Sequence, residues 1–128
     1  MLKFLLVDDS RTMRNIEKNV LKAMGDQQIL EAGDGLEGLT LVASDPSPFT
    51  LMFVDWNMPN MDGLSFVKRI REKDKATPII MVTTEAEKAR VLDAIRAGVN
   101  NYVMKPFTPD VFLERVRQTL DKCKPAAA

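Results

Sequence analysis

Four apolar runs in this chain end in polar side chains of a kind that can do chemistry. Residues 3–7 (KFLLV) run into Asp8-Asp9, and residues 51–54 (LMFV) into Asp55. Residues 79–82 (IIMV) run into Thr83-Thr84, and residues 102–104 (YVM) into Lys105-Pro106. Brought to one place, three carboxylates would repel one another and raise each other's pKa unless a cation neutralised them. Oxygen ligands on loops suit Mg²⁺, which typically takes one or two carboxylates and completes its shell with water and phosphate oxygens. Lys105 would add fixed positive charge with no acceptor capacity, suited to a phosphoryl oxygen, and Thr83 a hydroxyl donor. Asp55 can then act as a nucleophile toward phosphorus and carry an aspartyl phosphate. The loose transition state of phosphoryl transfer needs mainly positioning and cations, which this set provides.

Each of these residues alone has a plainer use. An Asp after a strand is turn chemistry, and Asp8 or Asp9 could cap a helix or favour its positive end. Thr83 could be a cap or a β-former, and Lys105 a solvated charge. What favours a site is the coincidence at four run ends of an acid pair, a third acid, a hydroxyl and a lysine.

The elements that must position them follow from periodicity and punctuation. Strands are expected at Lys3–Val7, Gln28–Ala32, Leu51–Val54, Ile79–Val82 and Tyr102–Met104. Ser10 can cap a helix with apolar positions at Met13, Ile16, Val20, Leu21 and Met24, and Gly25 stops it. A second helix is expected from Gly35 to Ser44, closed by the loop Asp45-Pro46-Ser47-Pro48. Leu64, Val67 and Ile70 mark a third. Glu85–Ala97 reads as a fourth, with Leu92 and Ile95 inward and Gly98 as the stop. Thr108-Pro109 gives an N-cap and N1 proline for a fifth, carrying Leu113, Val116 and Leu120. Strands alternating with helices argue for a parallel sheet with helices on both faces. Strands buried on both sides read as continuous apolar runs, as these do. The expected fold is a single doubly wound α/β domain over residues 1–122, with residues 123–128 as a flexible tail. In such a fold the C-terminal ends of all strands line one edge, and ligands bind where strand order reverses. If strands one and three are neighbours, the three carboxylates converge there.

A competing motif, Gly33-Asp34-Gly35-Leu36-Glu37-Gly38, matches G-x-G-x-x-G. It follows the second strand rather than the first, and Asp34 and Glu37 put negative charge where a pyrophosphate would sit. The glycines instead serve a turn and close helix packing.

Composition sets the outer limits. The 128 residues suffice for one domain that buries roughly two-thirds of its unfolded surface. Lys+Arg and Asp+Glu each number 18, so no net charge points to nucleic acid or an anionic membrane. No apolar run approaches the roughly 20 residues of a membrane span, and the short N-terminal apolar stretch meets two acids, unlike a signal peptide. One cysteine, Cys123, allows no internal disulfide and fits a reducing, cytoplasmic setting. The absence of histidine excludes a Ser-His-Asp or Cys-His unit, leaves zinc without its usual nitrogen ligand, and leaves no phosphohistidine to form on this chain.

Asp8-Asp9, Asp55 in DWNMPNMDG, Thr83 in MVTTEAE and Lys105-Pro106-Phe107 together resemble the receiver domain of bacterial two-component response regulators. The likeness spans essentially the whole chain and is strongest to the single-domain chemotaxis type. It implies a flavodoxin-like sheet of order 2-1-3-4-5 and Mg²⁺ as cofactor. Asp55 would accept the phosphoryl group from a phosphohistidine on a partner kinase. Asp9 would bind the ion directly, Asp8 largely through water, with Asp55 and the Asn57 backbone carbonyl completing the protein ligands. Lys105 and Thr83 would contact the phosphoryl group, Tyr102 would be the aromatic switch, and Asn57 and Glu85 would tune dephosphorylation. The signal would leave through the face of helix four, strand five and helix five. Three positions depart from the chemotaxis pattern: Ser10 where an aromatic residue can stand, Thr84 where a small one is usual, and Met104 where a β-branched one is usual.

The resemblance implies a monomeric module without its own output domain, acting on the flagellar motor switch or another protein target, with a phosphatase as a further partner. Direct DNA binding is not expected, since the receiver leaves no room for a helix-turn-helix. The alternative within the class is a phosphorelay intermediate that hands the group to a second histidine protein. An alternative outside it is a small Mg-dependent phosphohydrolase, although that chemistry wants an acid at position 57, where Asn57 stands. A flavodoxin-like electron carrier is disfavoured because the acid pair would repel a flavin phosphate.

Overall fold

The computed structural model describes residues 1–45 and 47–123. Five strands, β1 (Leu2–Val7), β2 (Gln27–Ala32), β3 (Leu51–Val54), β4 (Ile79–Thr83) and β5 (Asn101–Met104), alternate with five helices. These are α1 (Arg11–Leu21), α2 (Gly35–Ser44), α3 (Gly63–Arg71), α4 (Lys88–Ala97) and α5 (Pro109–Lys122). All strands pair in parallel, in the order β2-β1-β3-β4-β5.

The unbroken apolar strands are explained by a sheet covered on both faces. Successive strand residues point to opposite sides, and they sort into two cores. Leu5, Val7, Met52, Val54, Ile79 and Met81 meet Phe66, Val67 and Ile70 of α3 and Ala94 of α4. Phe4, Leu6, Phe53, Ile80 and Val82 meet Leu21 of α1 and Phe112 and Val116 of α5. Phe53 stacks on Phe112 with ring centroids 5.1 Å apart, worth about 1 kcal/mol beyond its area.

Ser10 and Thr108 cap α1 and α5 as expected, with Pro109 opening α5, and Asp34 and Asp62 do the same for α2 and α3; each accepts a backbone N–H three residues on. Gly98 closes α4 at φ 113°, a left-handed conformation that costs glycine little.

Three helix faces differ from the expectation. In α1, Ile16 is 42% exposed, whereas Glu17 is 2% exposed. In α4, Leu92 and Ile95 do not face inward: they are 41% and 54% exposed, and the small Ala94 is the buried residue. The helix lies against α3 through the neighbouring stripe, so its larger apolar residues remain on the outside. It also begins at Lys88, leaving Glu85 in the preceding loop. In α5 the buried line is Phe112, Val116 and Thr119. At the end of α5 Cys123 is the C-cap, its N–H donating to the Thr119 carbonyl. The rest of the expected tail, 124–128, and Pro46 lie outside the described residues.

Candidate functional site

Strand β1 lies between β2 and β3, so chain order reverses beside its C-terminal end, the position where ligands bind in open α/β sheets. Val7 pairs with Val54, which brings Asp8 and Asp55 side by side as each strand ends. The turn after β3 is tight. Gly63 donates its N–H to the Trp56 carbonyl at 2.8 Å, and a Cβ on Gly63 would overlap the Asp55 carbonyl oxygen. The Asp55 carboxylate is thereby fixed, accepting the Trp56 N–H at 2.7 Å.

Asp8, Asp9 and Asp55 each offer a carboxylate oxygen, all within 4.8 Å of one another. Lys105, beyond β5, reaches across to them: its Nζ is 2.9 Å from Asp8 Oδ2 and 3.1 Å from Asp55 Oδ2. Asp8 and Asp55 are buried, and Asp9 is exposed at the mouth. Burial pushes the Asp55 carboxyl above its ordinary value; the Lys105 charge opposes this and the Asp8 charge adds to it. For Lys105, burial alone would lower the pKa, but the Asp8 hydrogen bond and the Asp55 and Asp8 charges outweigh it and the net shift is upward.

Three carboxylates against one ammonium leave an excess of two negative charges in a half-buried pocket of hard oxygen donors. That set fits a divalent cation such as Mg²⁺, and among the described residues neither histidine nor cysteine is near it.

A second group is linked by hydrogen bonds. Asn57 Nδ2 donates to Glu85 Oε1 at 3.1 Å, Tyr102 donates its hydroxyl to the Glu85 carbonyl at 2.7 Å, and the Glu85 N–H donates to Thr83 Oγ1 at 3.3 Å. Every site residue expected from the sequence therefore falls on this one edge. Asp8, Asp9, Asp55 and Lys105 form the pocket, while Asn57, Thr83, Glu85 and Tyr102 form a linked set beside it.

One residue escaped the sequence reading. Glu17 has its carboxyl raised to about 8, by burial first and by the Asp8 charge next. The signal was present: Glu17 stands four residues after Met13 and four before Leu21, on the apolar stripe of α1.

A parallel α/β domain with carboxylates, a lysine and a hydroxyl gathered at its switch point has the form of a signalling receiver domain. The family model for the response regulator receiver domain matches residues 4–117, and the chain belongs to that family, the receivers of two-component signalling. It is 48% identical over 121 residues to a chemotaxis protein CheY homolog of Campylobacter jejuni, covering 93% of this chain and 92% of that protein. It is 47% identical to chemotaxis protein CheY1 of Helicobacter pylori, covering 93% and 97%. Among solved structures, Vibrio cholerae CheY4 superposes with a TM-score of 0.82 at 33% identity, over 93% of this chain and 98% of that one. A CheY-like receiver domain protein of Methanospirillum hungatei gives 0.85 at 27% identity, over 95% of each. Receiver domains bind Mg²⁺ at an acidic pocket, and Asp8, Asp9 and Asp55 supply one here.

Proposed function

We propose that this chain is a chemotaxis-type response regulator in which Asp55 accepts a phosphoryl group from a histidine kinase. The observation that carries this reading is Lys105 Nζ bridging Asp8 and Asp55. It places a cation beside one oxygen of the acceptor, in the pocket where phosphoryl charge would develop. An Asp55 carboxylate oxygen attacks phosphorus, the bond to the donor imidazole nitrogen breaks, and an aspartyl phosphate results. Mg²⁺, held by Asp9, Asp55, the Asn57 carbonyl and (largely through water) Asp8, would neutralise the charge on the transferring oxygens. Lys105 and the Thr83 hydroxyl would hold two of those oxygens. Thr83 Oγ1 accepts the Glu85 N–H while its own hydrogen is free to be donated, so a move of Thr83 toward the phosphoryl group would be felt at Glu85 and so at Tyr102. Asn57 and Glu85 would flank the path of attacking water and set the lifetime of the product; their hydrogen bond to each other supports their acting together.

The output surface in this reading is the face of α4, β5 and α5, where Leu92, Ile95, Met104 and Val111 are exposed. Partners would be a chemotaxis kinase, the flagellar motor switch protein and a phosphatase, all in the cytoplasm; what supports the chemotaxis part of this reading is that the similar proteins are named chemotaxis proteins. Residues 1–122 would form the receiver domain. No described helix is long and apolar enough to cross a membrane. The phosphohydrolase alternative gains nothing here, since the Asn57 amide is donated to Glu85.

Intact-protein mass after incubation with acetyl phosphate tests the reading. A gain of one phosphoryl group that needs Mg²⁺ and is absent in Asp55→Ala is expected. No gain, or a gain unchanged by Asp55→Ala, overturns it.

A further inference from the structure

Arg90, in the first turn of α4, is not among the residues that build the acidic pocket, yet it touches two residues that adjoin it. Its guanidinium carbon stands 5.4 Å from the centre of the Trp56 ring, and its Nε is 3.9 Å from Glu85 Oε2. Trp56 directly follows Asp55 and donates its N–H to that carboxylate. Glu85 holds Asn57 through its other carboxylate oxygen. A closed loop of contacts thus runs from Trp56 to Arg90, Glu85 and Asn57, joining the segment after β3 to the segment after β4 beside the acceptor.

The N-cap residue of α4, Glu87, makes no side-chain capping bond, unlike the N-caps of α1, α2, α3 and α5. The planar guanidinium suits the position, because it can lie over an indole and offer an N–H to a carboxylate at once, which a lysine ammonium does less well.

We propose that Arg90 is a positioning residue that clamps Glu85 to Trp56 beside the pocket and so lengthens the life of the Asp55 acyl phosphate. The inference rests on the proposed function for its chemical readout. In the step it controls, a water oxygen attacks phosphorus, the bond to the Asp55 oxygen breaks, and the carboxylate leaves while the water's proton stays with inorganic phosphate. Holding Glu85 and Asn57 together narrows the path of that water. Releasing Arg90 leaves the Glu85 carboxylate with Asn57 as its remaining side-chain partner among the described residues.

The test pairs two readouts on wild type, Arg90→Ala and Arg90→Lys. The first is decay of the phosphorylated mass after removal of acetyl phosphate. The second is acrylamide quenching of Trp56, the single tryptophan, in metal-free buffer with no phosphodonor. Arg90→Ala is expected to shorten the phosphoryl lifetime about threefold, the scale of one exposed ion pair, and to raise quenching with an unchanged melting temperature. Arg90→Lys should fall between, keeping the charge and losing the stacking plane. Unchanged quenching, or a lifetime equal to that of the wild type, overturns the clamp. A wild type that gains no phosphoryl mass overturns the proposed function instead, and the quenching arm then judges the clamp by itself.

Discussion

The hydroxyl of Tyr102 donates to the backbone carbonyl of Glu85 at 2.7 Å, tying β5 to the loop that follows β4. Tyr102 is the single tyrosine, so its titration can be read directly. Burial, then the Glu85 and Asp55 charges, push the phenol up to about 12. Phenolate absorbance should therefore appear near that pH rather than near 10. Tyr102→Phe should cost about 1 kcal/mol in urea unfolding, the net worth of one hydrogen bond. A phenol titrating near its ordinary value would show that the ring does not occupy this place.

Asp9 tests the charge excess in the pocket. Exposed at the mouth, it forms no ion pair among the described residues, whereas Asp8 and Asp55 share Lys105. In metal-free buffer its charge adds to the excess that Lys105 leaves uncompensated. Asp9→Asn should leave the metal-free protein as stable as the wild type or up to about 1 kcal/mol more stable. It should also remove most of the stabilisation that saturating Mg²⁺ gives the wild type. Thermal unfolding with and without Mg²⁺ checks both parts, and an Mg²⁺ shift retained in full would remove Asp9 from the ion's ligands.

Glu17 makes stability fall as pH rises. The unfolded chain releases this proton near 4.5, and the folded protein keeps it until about 8. Between those values the folded state binds more protons, so each pH unit costs up to about 1.4 kcal/mol, with no further loss above the folded pKa. Glu17→Gln keeps the shape and cannot ionise. In metal-free buffer the variant should gain stability over the wild type steadily from pH 5 to pH 8. Parallel stability curves for the two proteins would refute the buried, protonated carboxyl.

Gly63 sits where the Asp55 carbonyl leaves no room for a methyl group. Gly63→Ala should force the turn after β3 apart and cost about 2 kcal/mol or more. Gly25→Ala is the control: its added Cβ meets nothing, and its cost comes only from φ 97°. Equal unfolding midpoints for the two variants would count against the tight turn.

The strands and their punctuation were legible because they rest on local physics. A run such as LMFV can be continuous only where both faces of a sheet are covered, and Ser10, Thr108 and Gly98 act within one turn of their own position. The pocket was legible for the same reason, since a parallel sheet carries every strand end to one edge and β1 and β3 prove to be neighbours. Which stripe of α1 and α4 faces inward was not legible. Adjacent stripes of Ile16 and Glu17, or of Leu92 and Ala94, differ by a rotation that only the packing partners fix. Those partners put Glu17 inside and left Leu92 and Ile95 outside. The same holds for the links among Asn57, Glu85, Arg90 and Trp56, which are separated by up to 34 residues in sequence. The sequence determined which groups reach the edge. The tertiary structure alone decided which of them touch, because contact depends on loop paths and helix rotation that no local pattern encodes.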